Sequence, residues 1–185
     1  MNIYEKSPIL ENENFILRLF QKEDCDDLLK VYSDKMALPF FNSDNCDGDN
    51  FYYDTLERMK EAISFWQMAY DNRWFSRLSI VDKKIKTVIG TVEVCLRVSD
   101  DFYNNMGILR IDVRSDYENE EPLFSIFSII TPVLEELFGC KGILTKAPIY
   151  AVERIKALKK IGFLPSKHYL VGKNNYQYDG YWIIK

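Results

Sequence analysis

The chain has 185 residues, of which 47% are apolar and 15% aromatic, which is enough for one well-buried α/β domain but leaves little room for a second core. With 24 Lys and Arg against 28 Asp and Glu, the net charge is −4, and the missing basic stripe excludes a sequence-independent nucleic-acid surface. No run of about 18 apolar residues occurs and the start lacks a secretory-signal pattern, so we expect a cytoplasmic protein that does not enter membranes.

The first predicted elements are a strand and a helix. Residues 14–20 (NFILRLF) alternate apolar side chains, as a strand does, and residues 22–34 place apolar side chains at helical spacing behind an acidic start. Residues 35–54 contain Pro39, Gly48 and many Asn and Asp, which predicts a long loop or a short helix with irregular flanks.

The next elements are a helix and a hairpin. Residues 54–70 have a helical apolar stripe, with Asp54 and Glu57 as a possible capping box. Residues 75–81 and 88–98, joined by a polar turn, predict an antiparallel hairpin.

The second half of the chain continues this alternation. A long apolar helix is expected to kink at Pro132 and to stop at Gly139, and the last helix to end at Gly162. The remaining predicted elements are the strands 108–113 and 142–147, the helix 150–163, and a closing hairpin around 173–175. This order predicts an α/β (α+β) fold, with a mixed, mostly antiparallel seven-stranded sheet and helices on both faces.

Three stretches resemble a known family: LRLFQKEDCDDLLKVYSD (17–34), VIGTVEV (88–94) and AVERIKALKKIGF (151–163). In their order and spacing they resemble the GNAT superfamily of acetyl-CoA-dependent N-acetyltransferases, most like the branch with the ribosomal-protein alanine acetyltransferases. The resemblance implies a single acyltransferase domain over residues 1–185 with acetyl-CoA as co-substrate.

In that family the pantetheine arm of the carrier lies in a splay between the fourth and fifth strands, which correspond here to 108–113 and 142–147. The pyrophosphate rests on a loop of pattern Gln/Arg-x-x-Gly-x-Gly/Ala at the start of the next helix, where glycines and free N–H groups close on the anion. The resemblance therefore implies carrier contacts for these residues: Ile111, Val113, Glu118, Asn119, Glu120, Glu121, Leu123 and Phe124.

Residues 118–123 depart from that pattern at every diagnostic position. A carboxylate about 6 Å from one phosphate charge costs roughly 3 kcal/mol at an effective dielectric of 20, and Pro122 has no N–H to donate. Two interpretations stay open. Either the helix start is satisfied by its own side chains, with Pro122 in the first turn and Glu120 and Glu121 beside the dipole, or the loop still admits an acyl-CoA.

Acetyl transfer to an amine needs a proton acceptor, a donor for the thioester carbonyl and alignment. Glu93 and Asp112, on adjacent predicted strands, are the acids best placed to face a central cleft. Arg110 shares a strand face with Asp112, so these two can alternatively form a simple ion pair. His168, the single histidine, is expected in a surface or strand-end role.

In the family the loop between the first two helices walls the acceptor pocket. Here that loop carries Phe40, Phe41, Tyr52 and Tyr53 together with several Asp, which suits a small cationic amine or a protein N-terminus; alternatively the aromatic side chains simply cover the sheet. The loop matches a calcium site too poorly to predict a metal, and the four scattered cysteines predict neither a metal site nor disulfides.

Two functions therefore remain from the sequence. One is an N-acetyltransferase, acting as a monomer or homodimer. The other is a catalytically silent binding or structural module whose acidic, glycine-free loop no longer binds CoA.

Overall fold

The computed structural model describes residues 3–185, apart from the side chain of Asn174. Within them the chain forms these strands: β1 Leu10–Glu11, β2 Phe15–Leu19, β3 Ser76–Asp82, β4 Thr87–Leu96, β5 Gly107–Val113, β6 Ile143–Lys146, β7 Leu164–Pro165, β8 Leu170–Val171, β9 Gln177–Tyr178 and β10 Tyr181–Ile184. The α-helices are α1 Cys25–Tyr32, α2 Leu56–Asp71, α3 Glu120–Ile130, α4 Leu134–Phe138 and α5 Val152–Ile161.

Eight strands form the main sheet, in the order β1-β2-β3-β4-β5-β6-β10-β7. The β5–β6 pair is parallel and the other neighbours are antiparallel, as expected for a mixed, mostly antiparallel sheet. The sheet has one strand more than the seven predicted. The predicted closing hairpin forms a separate two-stranded sheet, β8–β9, and the residues after it form β10, which pairs with β6 in the main sheet. The short segments β1 and β7 add edge strands that periodicity alone does not reveal.

Helices cover both faces of the sheet, as predicted. On one face α3 and α5 bury apolar side chains against β5, including Ile126, Phe127 and Leu158. On the other face α1 and α2 surround Tyr32 and Trp66 in a second core. Because β5 contributes Leu109, Ile111 and Val113 to the first core, its alternate side chains, Arg110 and Asp112, face α1 and α2.

The predicted helix ends are mostly confirmed. α3 gives way at Thr131–Val133 to a 3-10 turn that contains Pro132, and Gly139 and Gly162 end α4 and α5 with left-handed φ angles of 62° and 109°. The capping box at Asp54 is wrong. Thr55 is the N-cap of α2, and its hydroxyl accepts the Arg58 N–H at 3.2 Å, because this position has the extended backbone that a cap requires.

In the described part of the chain, none of the helices is both long and apolar enough to cross a membrane.

Candidate active site

The sheet has a splay between β5 and β6. Their parallel ladder has three residue pairs and ends at Leu109–Thr145, although β5 continues to Val113. Backbone groups alternate sides along a strand, and Gly107 N–H points to the β6 side, where it donates to Gly142. The N–H and C=O groups of Ile111 and Val113 therefore point into the splay, where the ladder no longer supplies a partner.

The acidic loop lies at the end of this splay. Residues Ser115–Tyr117 form a 3-10 turn after β5, Asn119 is the N-cap of α3, and α3 begins at Glu120. The side chain of Glu118 turns toward α5 and accepts two hydrogen bonds from Arg154, at 2.7 and 2.6 Å, with 5% and 2% of the two side chains exposed. A buried bidentate ion pair thus occupies the place where the resemblance puts an anionic ligand.

Side chains of α5 also contact the first turn of α3. The Glu120 N–H donates to the Glu153 carboxylate at 3.3 Å, whereas the Asn119 side chain makes no capping bond. Glu120 and Glu121 thus lie in the first turn of α3, as the first interpretation of this loop expects, but the acceptor for the Glu120 N–H comes from α5 and not from the turn itself. Lys160, also on α5, lies 3.0 Å from Glu121 and 3.8 Å from Glu120.

Two of the four apolar residues expected to touch a carrier, Leu123 and Phe124, lie in α3 just after its first turn. Leu123 is fully buried in the core, so its side chain packs with the helices. Phe124 is half-buried beneath the Lys160 ammonium, which lies 4.3 Å from its ring centroid.

A buried charge network lies on the other face of the same strands. Glu93 binds Arg77 and Arg110 at once, and Arg77 stacks 4.4 Å from the ring of Trp66. The alternative pair between Arg110 and Asp112 is not formed. Glu93 lies directly opposite Arg110 in the β4–β5 register, whereas Asp112 is two residues along the same strand, about 7 Å away.

Asp112 is bound differently from Glu93. Its Oδ2 accepts from the hydroxyl of Tyr32 at 3.0 Å and from Arg77 at 3.4 Å, while its buried Oδ1 has no hydrogen bond from the described residues. Burial raises the pKa of Asp112, and the attraction of Arg77 offsets this only in part. Burial also acts on Glu93, but Arg77 and Arg110 outweigh it and lower the pKa of Glu93. The pKa values of the two predicted catalytic acids are thus shifted in opposite directions.

A cavity of about 270 Å³ opens beside this network. Lys146 on its wall follows Thr145, the last β6 residue paired with β5, so the cavity lies where the splay begins. The lining residues are Leu38, Pro39, Phe40, Phe41, Asn42, Ser43, Asp44, Lys146, Pro148 and Tyr150. Arg110 donates to the Asp44 carbonyl at 3.1 Å and so connects the cavity with Glu93.

The four aromatic residues predicted for the acceptor pocket separate into two groups. Phe40 and Phe41 line the cavity. Tyr53 is buried against Tyr32 and donates to Asp49 at 2.9 Å, and Tyr52 is half-buried with the Lys35 ammonium 6.0 Å from its ring. Tyr53 thus belongs to the α1–α2 core and not to the cavity wall, and Tyr52 lies outside the cavity lining.

Other predicted roles lie away from the cavity. His168 is exposed and stacks on Phe102 with 3.7 Å between ring centroids. The four cysteines are free, and among the described residues no group of His, Cys, Asp and Glu is arranged to hold a metal.

Three basic residues of the site were not predicted: Arg77, Lys146 and Arg154. Arg77 lies in β3, Lys146 in β6 and Arg154 in α5, and each has buried apolar neighbours along its element. The sequence signal that could have found them is a basic residue inside an apolar pattern. Which acid each one meets depends on register and helix packing.

Comparison with known proteins supports the fold. No family model matches the chain, and no curated protein sequence matches either. Solved structures do match over nearly its full length. A GNAT-family acetyltransferase from Bacillus anthracis has a TM-score of 0.68 at 12% identity, covering 96% of this chain and 98% of its own. Ribosomal-protein-S5-alanine acetyltransferase from Vibrio fischeri has a TM-score of 0.69 at 17% identity, with 95% and 94% covered.

A third similar structure contains ligands. Spermidine N-acetyltransferase from Vibrio cholerae, in complex with CoA and spermine, has a TM-score of 0.65 at 12% identity, with 94% and 96% covered. The protein thus has the fold of the GNAT acetyltransferases, which confirms the predicted resemblance at the level of the fold.

Proposed function

We propose that the protein is an acetyl-CoA-dependent N-acetyltransferase. The observation that carries this proposal is the splay, in which Ile111 and Val113 present backbone groups beyond the end of the β5–β6 ladder. An arm that contains amides, such as pantetheine, can take hydrogen bonds from these groups as a further strand would. The cavity beside the splay, whose lining includes the Asp44 carboxylate, supports a primary amine as acceptor.

In the proposed reaction the amine nitrogen attacks the thioester carbonyl carbon, an amide bond forms and the carbon–sulfur bond breaks. The ammonium proton must leave first, and the departing thiolate takes up a proton at the end. We assign proton removal to Asp112 acting through water, because its side chain is buried and does not line the cavity, its pKa is raised and its Oδ1 has no hydrogen bond from the described residues. Glu93, held by two guanidiniums, is the poorer base.

One observation favours a second function, a binding module that no longer uses CoA. Glu118 neutralises Arg154, and Glu153 takes the first N–H of α3, so the anion position is filled from within the chain. A pyrophosphate must displace both carboxylates before it can bind there, which the loop's missing glycines make harder.

Titration of the protein with acetyl-CoA in a calorimeter tests the first function. We expect saturable binding, a higher melting temperature in excess ligand and acetylation of an added amine detected by mass spectrometry. Glu118→Gln should bind acetyl-CoA about tenfold more tightly, because one competing charge is removed from Arg154.

The matched control is Glu121→Gln, which removes an equal charge from an exposed side chain of the same turn. Absence of binding to the wild-type protein and to Glu118→Gln contradicts the transferase. Binding to Glu118→Gln alone favours the silent module.

A further inference from the structure

The wall of the cavity carries two adjacent opposite charges. Asp44 Oδ2 lies 2.5 Å from the ammonium of Lys146, and the two side chains are 12% and 21% exposed. Both residues line the cavity, together with the aromatic side chains of Phe40, Phe41 and Tyr150. A ligand entering the cavity therefore meets a carboxylate and an ammonium together.

Asp44 is held in place by several bonds besides this ion pair. Its N–H donates to Asn42 Oδ1 at 3.1 Å, and its carbonyl accepts from Arg110 at 3.1 Å. Its carboxylate accepts from the hydroxyl of Tyr181 at 3.0 Å. Burial, reinforced by Asp44, raises the pKa of Tyr181, so this hydroxyl stays protonated and remains a donor. The carboxylate is thus preorganised whether or not Lys146 binds it.

Lys146 is held less firmly. Its side chain is a flexible four-carbon stem, and beyond Asp44 its ammonium contacts the rings of Tyr178 and Tyr181 at 5.9 and 6.0 Å. The lysine can therefore move aside by rotation of its own side chain, while Asp44 remains where it is. An ammonium group from a ligand can then replace Lys146 at Asp44.

We propose that this cavity binds a free α-amino acid as a zwitterion. The ligand ammonium binds Asp44, the displaced Lys146 binds the ligand carboxylate, and the ligand side chain packs on Phe40, Phe41 and Tyr150. Both charges of the wall keep a partner of opposite sign, so neither is left desolvated and unpaired. The volume is below the roughly 300–1,000 Å³ of pockets for drug-sized ligands, which suits a single amino acid.

The same charges disfavour the other amines considered. A polyamine brings a second ammonium toward the displaced Lys146, and two like charges at close range repel each other. A protein N-terminus offers an ammonium without the neighbouring carboxylate, which leaves Lys146 unpaired. That the bound α-amine is also the acetyl acceptor rests on the proposed transferase function, but the binding itself does not.

The test is calorimetry on the wild-type protein without acetyl-CoA, using the standard L-amino acids as probes. We expect at least one to bind with a millimolar or lower Kd. Its amide, which lacks the carboxylate, and its N-acetyl derivative, which lacks the ammonium, should each bind at least about tenfold more weakly. Saturation by none of the amino acids, or equal binding of the amide, overturns the proposal.

Variants test whether Asp44 binds the ligand ammonium and Lys146 binds the ligand carboxylate. Asp44→Asn and Lys146→Met should each weaken binding at least about tenfold, whereas Lys146→Arg should retain it. The control is Asp47→Asn, three residues away, whose carboxylate pairs with Lys173 on the exposed surface. Unchanged binding in Asp44→Asn, or equal loss in Asp47→Asn, contradicts the assignment.

A second readout separates this inference from the proposed function. Amino-acid binding in a protein that fails to bind acetyl-CoA leaves this site supported and removes only the transferase. Acetylation of spermidine without amino-acid binding has the opposite meaning: it supports the transferase and overturns the zwitterion site.

Discussion

Glu93 and Asp112 lie on adjacent strands and are both almost fully buried, with 3% and 1% of each residue exposed. Their surroundings differ in the number of guanidiniums that reach each carboxylate. Glu93 forms ion pairs with two of them, so its charge is part of what holds β3, β4 and β5 together. Asp112 shares one of these guanidiniums at 3.4 Å and otherwise relies on Tyr32.

Neutralising these two acids should therefore have different effects. We expect Glu93→Gln to lower the free energy of unfolding by about 3 kcal/mol or more, because Arg77 and Arg110 lose their common counter-ion in the interior. Asp112→Asn should cost about 1 kcal/mol or less, since burial already disfavours the charged form, yet it should lower kcat of acetyl transfer about a hundredfold.

Urea unfolding and steady-state kinetics measure these effects. A Glu93→Gln protein as stable as wild type contradicts the structural role of Glu93, and full activity in Asp112→Asn contradicts its role as a base.

At the scale of elements, α5 is joined to α3 and to the loop before it by two kinds of ion pair. The pair Glu118–Arg154 is buried, whereas Lys160 and Glu121 are 42% and 77% exposed. Exposed pairs contribute little because water screens them, and a buried charge that loses its partner is costly.

Arg154→Met should therefore lower the free energy of unfolding by about 3 kcal/mol, because the buried Glu118 loses its counter-ion. The control Lys160→Met, on the same helix, should cost about 0.5 kcal/mol or less. Urea unfolding of both variants tests the difference. In the double variant Glu118→Gln with Arg154→Met, much of the loss should be recovered, and strictly additive losses would contradict direct coupling.

The sequence predicts some of these elements better than their contacts. Strand alternation places Glu93 and Asp112 on one face of the sheet, where both are buried, and Gly139 and Gly162 are predicted helix ends because their left-handed backbone favours glycine. The sequence does not determine the partner of Arg110, because that partner depends on the pairing register of β4 and β5, which strand alternation leaves open.

The loop between α1 and α2 is harder to predict from the sequence. Asn45, Asp47 and Phe51 have left-handed φ angles of 60°, 54° and 63°, a conformation that a non-glycine residue adopts only when its surroundings hold it. The meeting of Asp44 with Lys146, 102 residues apart, follows from this loop and could not be predicted from local pattern.

At the scale of the whole molecule, several carboxylates favour the folded state only when charged. Asp101 is an example, because burial raises its pKa but bonds from Arg97, the Val171 N–H and Ser99 outweigh this and bring the pKa to about 2. A group with a lowered pKa stabilises the fold above its ordinary pKa of 3.8, and the contribution is lost as the pH falls toward 2. Asp112, with its raised pKa, has the opposite sign.

The free energy of unfolding should therefore fall as the pH is lowered from about 4 to about 2. In Asp101→Asn this fall should be smaller by on the order of 1 kcal/mol, allowing for partial solvent screening, because one of the lowered pKa values is gone. Asp100→Asn, an exposed neighbour, is the control. Chemical denaturation at several pH values measures the slope, and the same slope in Asp101→Asn and wild type contradicts the assignment.

The short ladder between β5 and β6 also has a mechanical consequence. It joins the five-stranded and three-stranded parts of the sheet through three residue pairs, compared with seven between β4 and β5 and four between β6 and β10. The β5–β6 contact is thus held by the fewest residue pairs among the central strand contacts of the sheet. A ligand that hydrogen-bonds along the splay cross-links the two parts, so a sheet with the splay occupied is stiffer than the free sheet.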